Sequence, residues 1–73
     1  MANTAKIISL RIKNNLKLYR KNAGLTQVQL GIAAGLGEDY IAHIEQEKNF
    51  PSIKALCKIA DVLNIDPIDF LKP

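Results

Sequence analysis

At 73 residues, 48% of them hydrophobic but with only two Tyr, two Phe and no Trp, the chain has room for one domain with an aliphatic core, near the lower size at which one core supports itself. No apolar run approaches the roughly 18 residues of a membrane span, and Lys6, Arg11 and Lys13 interrupt any signal-peptide-like stretch. The single Cys57 excludes an internal disulfide or a cysteine cluster for metal, so a reduced, cytoplasmic protein is expected.

Taken in order, Met1 to about Ala5 carry neither a cap nor an apolar period, and residues 1–7 are expected to be a flexible segment ahead of a single domain over 8–73. Ile8, Ile12, Leu16 and Tyr19 are spaced by four, four and three, which predicts a first helix with one buried stripe. Lys13, Lys17, Arg20 and Lys21 lie off that stripe, and Asn22-Ala23-Gly24 ends it. Thr26 is a good N-cap, and Gln29 three residues later completes a capping box. A second helix over Thr26 to about Ala34 stops at Gly35, since glycine enters the left-handed region without steric cost. A third helix is expected from Gly37 or Glu38 to about Gln46. The loop from Glu47 to Pro51 leads to Ser52, the cap of a fourth helix carrying Ile53, Leu56, Ile59, Ala60 and Leu63. Asn64 closes it. Asp66 as N-cap, Pro67 at N1 and Asp69 near the dipole's positive end predict a short fifth helix. Five helices and no strands make the fold class all-α. The helix, glycine-marked turn and helix over Gly24–Glu45 form a helix-turn-helix pattern.

Charge is unevenly spread. The net charge is +3, yet residues 1–24 hold Lys6, Arg11, Lys13, Lys17, Arg20 and Lys21 and no acid, while residues 25–73 hold four lysines against seven acids. Positive potential therefore sits on the N-terminal segment and not on the third helix.

Leu25-Thr26-Gln27, Leu30, Gly35, Tyr40-Ile41, Ile44-Glu45, Pro51-Ser52 and Lys58-Ile59-Ala60 together resemble the lambda-repressor-like (XRE-type) helix-turn-helix family, over roughly residues 8 to 71 and without a gap. Within it the likeness is to the controller proteins of restriction–modification systems. The resemblance implies a five-helix DNA-binding domain whose third helix reads the major groove. The family's base-reading positions map onto Gly37, Glu38, Asp39, Ala42 and His43. Family members often place Arg, Gln, Ser or Thr at several of these, whereas this chain has two adjacent acids. An acid accepts a hydrogen bond from cytosine N4, so Glu38 or Asp39 has a route to reading C·G pairs; the other reading is that both only suit a helix N-terminus. His43 shares a face with Asp39 and Glu47. A base or phosphate contact is expected of it ahead of metal binding, and no metal or cofactor is expected.

Gln27 matches the family's phosphate-contacting, bracing glutamine. Lys48 and Asn49 are further expected phosphate contacts, as is a flank of the first helix formed by Arg11 and Lys17. The family often pairs an arginine at position 20 with a glutamate at 45, so Arg20 and Glu45 are expected to form a structural ion pair. Departures from the family pattern are Gly31 for alanine, at about 1 kcal/mol of helix propensity, Glu47 for a frequent glycine, Phe50 for asparagine and Gly37 for a Ser or Thr cap.

Leu63, Ile65, Ile68, Phe70 and Leu71 read as an apolar C-terminal surface on which two copies pair. Pairing would set two reading helices about one DNA turn, roughly 34 Å, apart. The expected function is a sequence-specific, autoregulatory regulator binding a two-fold-related operator as a homodimer, with double-stranded DNA and itself as partners and no membrane or small-molecule ligand. A small phage repressor or an antitoxin has the same physics. The alternative is a protein–protein adaptor of this fold with weak or no DNA binding, which Glu38 and Asp39 favour. One His, one Cys and no phosphate-cradling glycine loop argue against an enzyme.

Overall fold

The first helix begins ahead of its apolar stripe, with residues 4–7 exposed and Ile8 the first to pack against the core. In the computed structural model, which describes residues 3–73, helix α1 spans Thr4–Asn22, so residues 4–7 belong to the helix and not to a segment preceding it. The Ile7 amide already bonds the Asn3 carbonyl at 3.0 Å, and Lys6 is held at 2.8 Å by Glu47; Met1 and Ala2 lie outside the described residues. Helix α2 spans Gln27–Ala33, α3 Tyr40–Glu45 and α4 Ile53–Leu63. The expected fifth helix, Pro67–Leu71, is a 3₁₀ helix. The Asp66 carbonyl accepts from Asp69, three residues on, at 2.9 Å, the i→i+3 closure of a 3₁₀ turn, a form that suits short helical pieces.

Caps follow the side chains. Thr26 and Gln29 complete the reciprocal capping box at 2.9 and 3.0 Å, and Ser52 accepts from the Ala55 amide at 3.0 Å. The four α-helices end alike, on a residue with φ between 56° and 72°: Gly24, Gly35, Glu47 and Asn64. At α3, the Glu47 amide donates to Ile44 and the Lys48 amide to His43, at 3.0 and 2.8 Å, the paired bonds of a Schellman end. Glycine and asparagine take this conformation readily. Glutamate does not, and its cost is about 1–2 kcal/mol.

Helix α3 begins two or three residues later than expected. Gly37 has φ 94°, outside helical space, and Asp39 rather than Gly37 precedes the first turn, with no side-chain cap bond.

The core is aliphatic with one ring. Ile12, Leu16, Leu30, Ala34, Ile41, Ile44, Leu56, Ile59, Ala60 and Phe70 form it. Phe70 is fully buried and meets the edge of Tyr19, ring centroids 6.3 Å apart. Phe70 is therefore not part of an apolar outer surface, as its position among Leu63, Ile65, Ile68 and Leu71 suggested: so small a domain uses its terminal ring to close its own core. Asn15 fixes this end from α1, donating to the carbonyls of Phe70 and Lys72 at 3.0 and 2.7 Å. Leu63 and Ile65 pack half-buried against the core, whereas Ile68 is 62% and Leu71 37% exposed.

Candidate nucleic-acid interface

Helices α2 and α3 meet through backbone. A Cβ at Gly31 would overlap the Gly37 carbonyl oxygen, so alanine, the usual residue for a helix interior, is excluded here by the neighbouring chain. Gly31 itself accepts from the Leu36 amide at 2.9 Å. The turn is thus pressed onto the side of α2, and Gly35, with φ 71°, lets the chain reverse towards α3.

Beneath α3 lies a buried polar knot. Arg20 Nε and Nη2 donate to the two carboxylate oxygens of Glu45 at 2.7 and 3.0 Å, a bidentate pair whose side chains are 9% and 5% exposed. Arg20 Nη1 also donates to the Leu25 carbonyl at 2.9 Å. Gln27, at the head of α2, donates to Glu45 at 3.1 Å. Among the described residues no buried side-chain nitrogen or oxygen lacks a partner, the condition under which a buried pair of charges is tolerated. Burial pushes the Glu45 carboxyl up, but the bonds from Arg20 and Gln27 outweigh it and hold the group below its ordinary value. Three elements converge on this one carboxylate: α1, the N-terminus of α2 and α3.

The five positions expected from the family resemblance to read bases lie together ahead of and along α3. Gly37, Glu38 and Asp39 are exposed, Ala42 and His43 half-buried. Glu38 and Asp39 occupy the turn ahead of α3 and not its first turn, with Ala42 and His43 on the helix itself. The alignment of His43 with Asp39 and Glu47 is broken at the helix end, where Glu47 turns to α1.

The expected phosphate contacts do not form one row. Lys48 and Asn49 are exposed in the loop after α3. Lys17 is exposed on the side of α1 that faces Glu45. Arg11, grouped with Lys17 by charge alone, is about 120° around the helix from it at ~100° per residue. Its guanidinium reaches the Leu71 carbonyl at 3.5 Å, at the C-terminal end of the domain. Arg11 and Lys17 therefore do not form one flank. Two lysines the sequence left without a role stand closer to α3: Lys6 and Lys13 pair with the two Glu47 oxygens at 2.8 and 3.1 Å. Their seven-residue spacing, two helical turns, was the available signal, but nothing in the sequence placed Glu47 opposite them.

Four α-helices among the described residues, with a glycine-turned α2–α3 pair whose second helix is braced from behind by Arg20 and Gln27, define a helix-turn-helix domain. The family model described as helix-turn-helix matches residues 16–70, and the chain belongs to this family, of the lambda-repressor-like type. It is 38% identical over 56 residues to the immunity repressor protein of Bacillus phage phi105, covering 77% of this chain and 39% of that protein. It is 35% identical over 51 residues to the ImmF control region 10 kDa protein of the same phage, covering 70% and 57%. A third relative, the uncharacterized HTH-type transcriptional regulator y4dJ of Sinorhizobium fredii, is 23% identical over 62 residues, covering 85% and 80%. The chain thus spans 39% and 57% of the length of the two phage relatives. No solved structure matches at the significance these relatives reach.

Proposed function

We propose that this chain is a sequence-specific DNA-binding transcriptional regulator that reads a two-fold-related operator as a homodimer and controls its own gene. The observation that carries the reading is the α2–α3 unit. Its inner face is fixed by Arg20, Gln27 and Glu45, and Glu38, Asp39, Ala42 and His43 are left at its front. Such an arrangement suits a helix that enters the major groove and must hold its register while its side chains meet base edges. Membership of the family and the two phage relatives support a repressor or control-region regulator ahead of a restriction–modification controller. The five-helix form of the family is supported to the extent that a 3₁₀ helix stands in the fifth place. Ile68 and Leu71, exposed at the C-terminal end, supply the apolar contact for pairing.

The acids at Glu38 and Asp39 favour a second reading, a protein–protein adaptor that keeps the fold and has given up DNA. One experiment separates the two. Fluorescence anisotropy compares the duplex upstream of the chain's own gene with a scrambled duplex at two salt concentrations. The regulator reading predicts a preference of about a thousandfold or more and a salt slope of several phosphates. Changing Glu38 and Asp39 together to alanine should then alter the site preference. Salt-independent failure to bind any duplex selects the adaptor.

A further inference from the structure

The one residue that breaks the glycine-and-asparagine pattern of helix ends is also the one that holds two lysines. Glu47 follows the C-cap of α3, Gln46, and is kept at φ 59°. Its position is locked by amide bonds from residues 47 and 48 back into α3 at 3.0 and 2.8 Å. Its carboxylate is met by Lys6 and Lys13, which project from successive pairs of turns on one side of α1 at 2.8 and 3.1 Å. Two ammonium groups converging on two oxygens of one anion is the arrangement a backbone phosphate would also satisfy. The pair adjoins the edge where a duplex lying on α3 would run: Lys48 and Asn49 are the next residues in the chain, and Lys17 continues the Lys13 face one turn on. The Lys6 side chain is 60% exposed, so an incoming phosphate can reach it.

We propose that Lys6 and Lys13 form a backbone-phosphate site beside α3, and that Glu47 occupies this site in the free protein as an internal stand-in for the phosphate. The proposal rests on the DNA-binding reading above. A duplex docking on α3 displaces the carboxylate from the two lysines, so part of the cationic attraction is withheld from any duplex that does not dock closely enough to make the exchange. Non-specific binding is weakened more than operator binding. The lysines hold the Glu47 carboxyl below its ordinary range, so the stand-in stays charged at neutral pH.

The test is the slope of log affinity against log salt for the full chain on a random-sequence duplex and on the upstream duplex. Glu47→Gln should steepen the random-duplex slope by about 0.9 for each phosphate gained. Between 50 and 200 mM salt that is about threefold more affinity lost per contact. At low salt it should bind the random duplex more tightly, by about threefold to tenfold. Glu47→Gly, which suits the left-handed backbone and keeps the fold secure, should behave the same. Adding Lys6→Met and Lys13→Met to Glu47→Gln should remove the gain. Asp61→Asn, the same charge change on exposed α4 surface, should leave the slope unaltered. A wild-type slope for both Glu47 variants, with wild type still binding, overturns this proposal and leaves the regulator reading standing. Absence of salt-dependent binding in wild type and every variant overturns both.

Discussion

Replacing Gly31 by alanine sets two effects of similar size against each other. Alanine stabilises a helix interior by about 1 kcal/mol relative to glycine. The added methyl, however, meets the Gly37 carbonyl, a backbone group that yields only if the whole turn moves, and overpacking of this kind costs about 1–3 kcal/mol. The second effect prevails because the contact is with main chain and not with the end of a flexible side chain. Gly31→Ala should therefore melt about 5 °C or more below wild type, on the scale of several degrees per kcal/mol for a domain of this size. Its duplex affinity should fall as well, since the turn positions α3. A variant that melts above wild type, as propensity alone demands, would falsify the contact.

At the scale of elements, α3 is a short helix whose six residues could not hold a conformation alone. Its position comes from its neighbours, above all from Arg20 reaching across from α1. Because the Glu45 carboxyl titrates below its ordinary value in the folded chain, the pair's contribution is present above the unfolded carboxylate range and is lost as pH falls through the folded value. Glu45→Ala leaves the Arg20 charge buried without its partner and should cost about 3 kcal/mol at pH 7. In chemical denaturation followed by circular dichroism, the gap between wild type and Glu45→Gln should narrow as pH is lowered from 6 towards 3. A gap that stays constant would remove the ion pair as its cause. The helices, their caps and the glycine stop of α2 were legible in the sequence because they depend on local spacing: a hydroxyl before a run, an amide three residues on, a glycine after it. What was not legible depends on distance between elements. Gly31 read as a weak helix residue because periodicity says nothing of how near α3 passes. Arg11 and Lys17 read as one flank because charge was counted along the chain and not around the helix. Glu47 read only as a departure, since its lysines lie 41 and 34 residues away.

For the molecule as a whole, the C-terminal 3₁₀ helix divides its apolar residues between two tasks. Phe70 closes the core beneath α1, and Ile68 and Leu71 remain outside. The two groups should respond differently to substitution. Phe70→Ala should cost about 3–5 kcal/mol, enough to unfold so small a domain at ambient temperature. Ile68→Ser should leave the melting of a dilute sample within a degree or two of wild type while shifting sedimentation towards the monomer. If Ile68→Ser sediments as wild type does at every concentration, pairing does not use this end of the chain.

The bracing of α3 from behind has a consequence for how such a protein can change over generations. The groups that hold the helix, Ile41, Ile44 and Glu45, are buried. Glu38 and Asp39 at its front are exposed, and neither makes a cap bond or belongs to the core. On the proposed regulator reading, drift at the front positions alters which operator is preferred while leaving the melting temperature almost untouched, so selection for a new target and selection for a folded chain act on separate residues. A lineage built on this domain can diverge in its targets without first acquiring stabilising substitutions elsewhere.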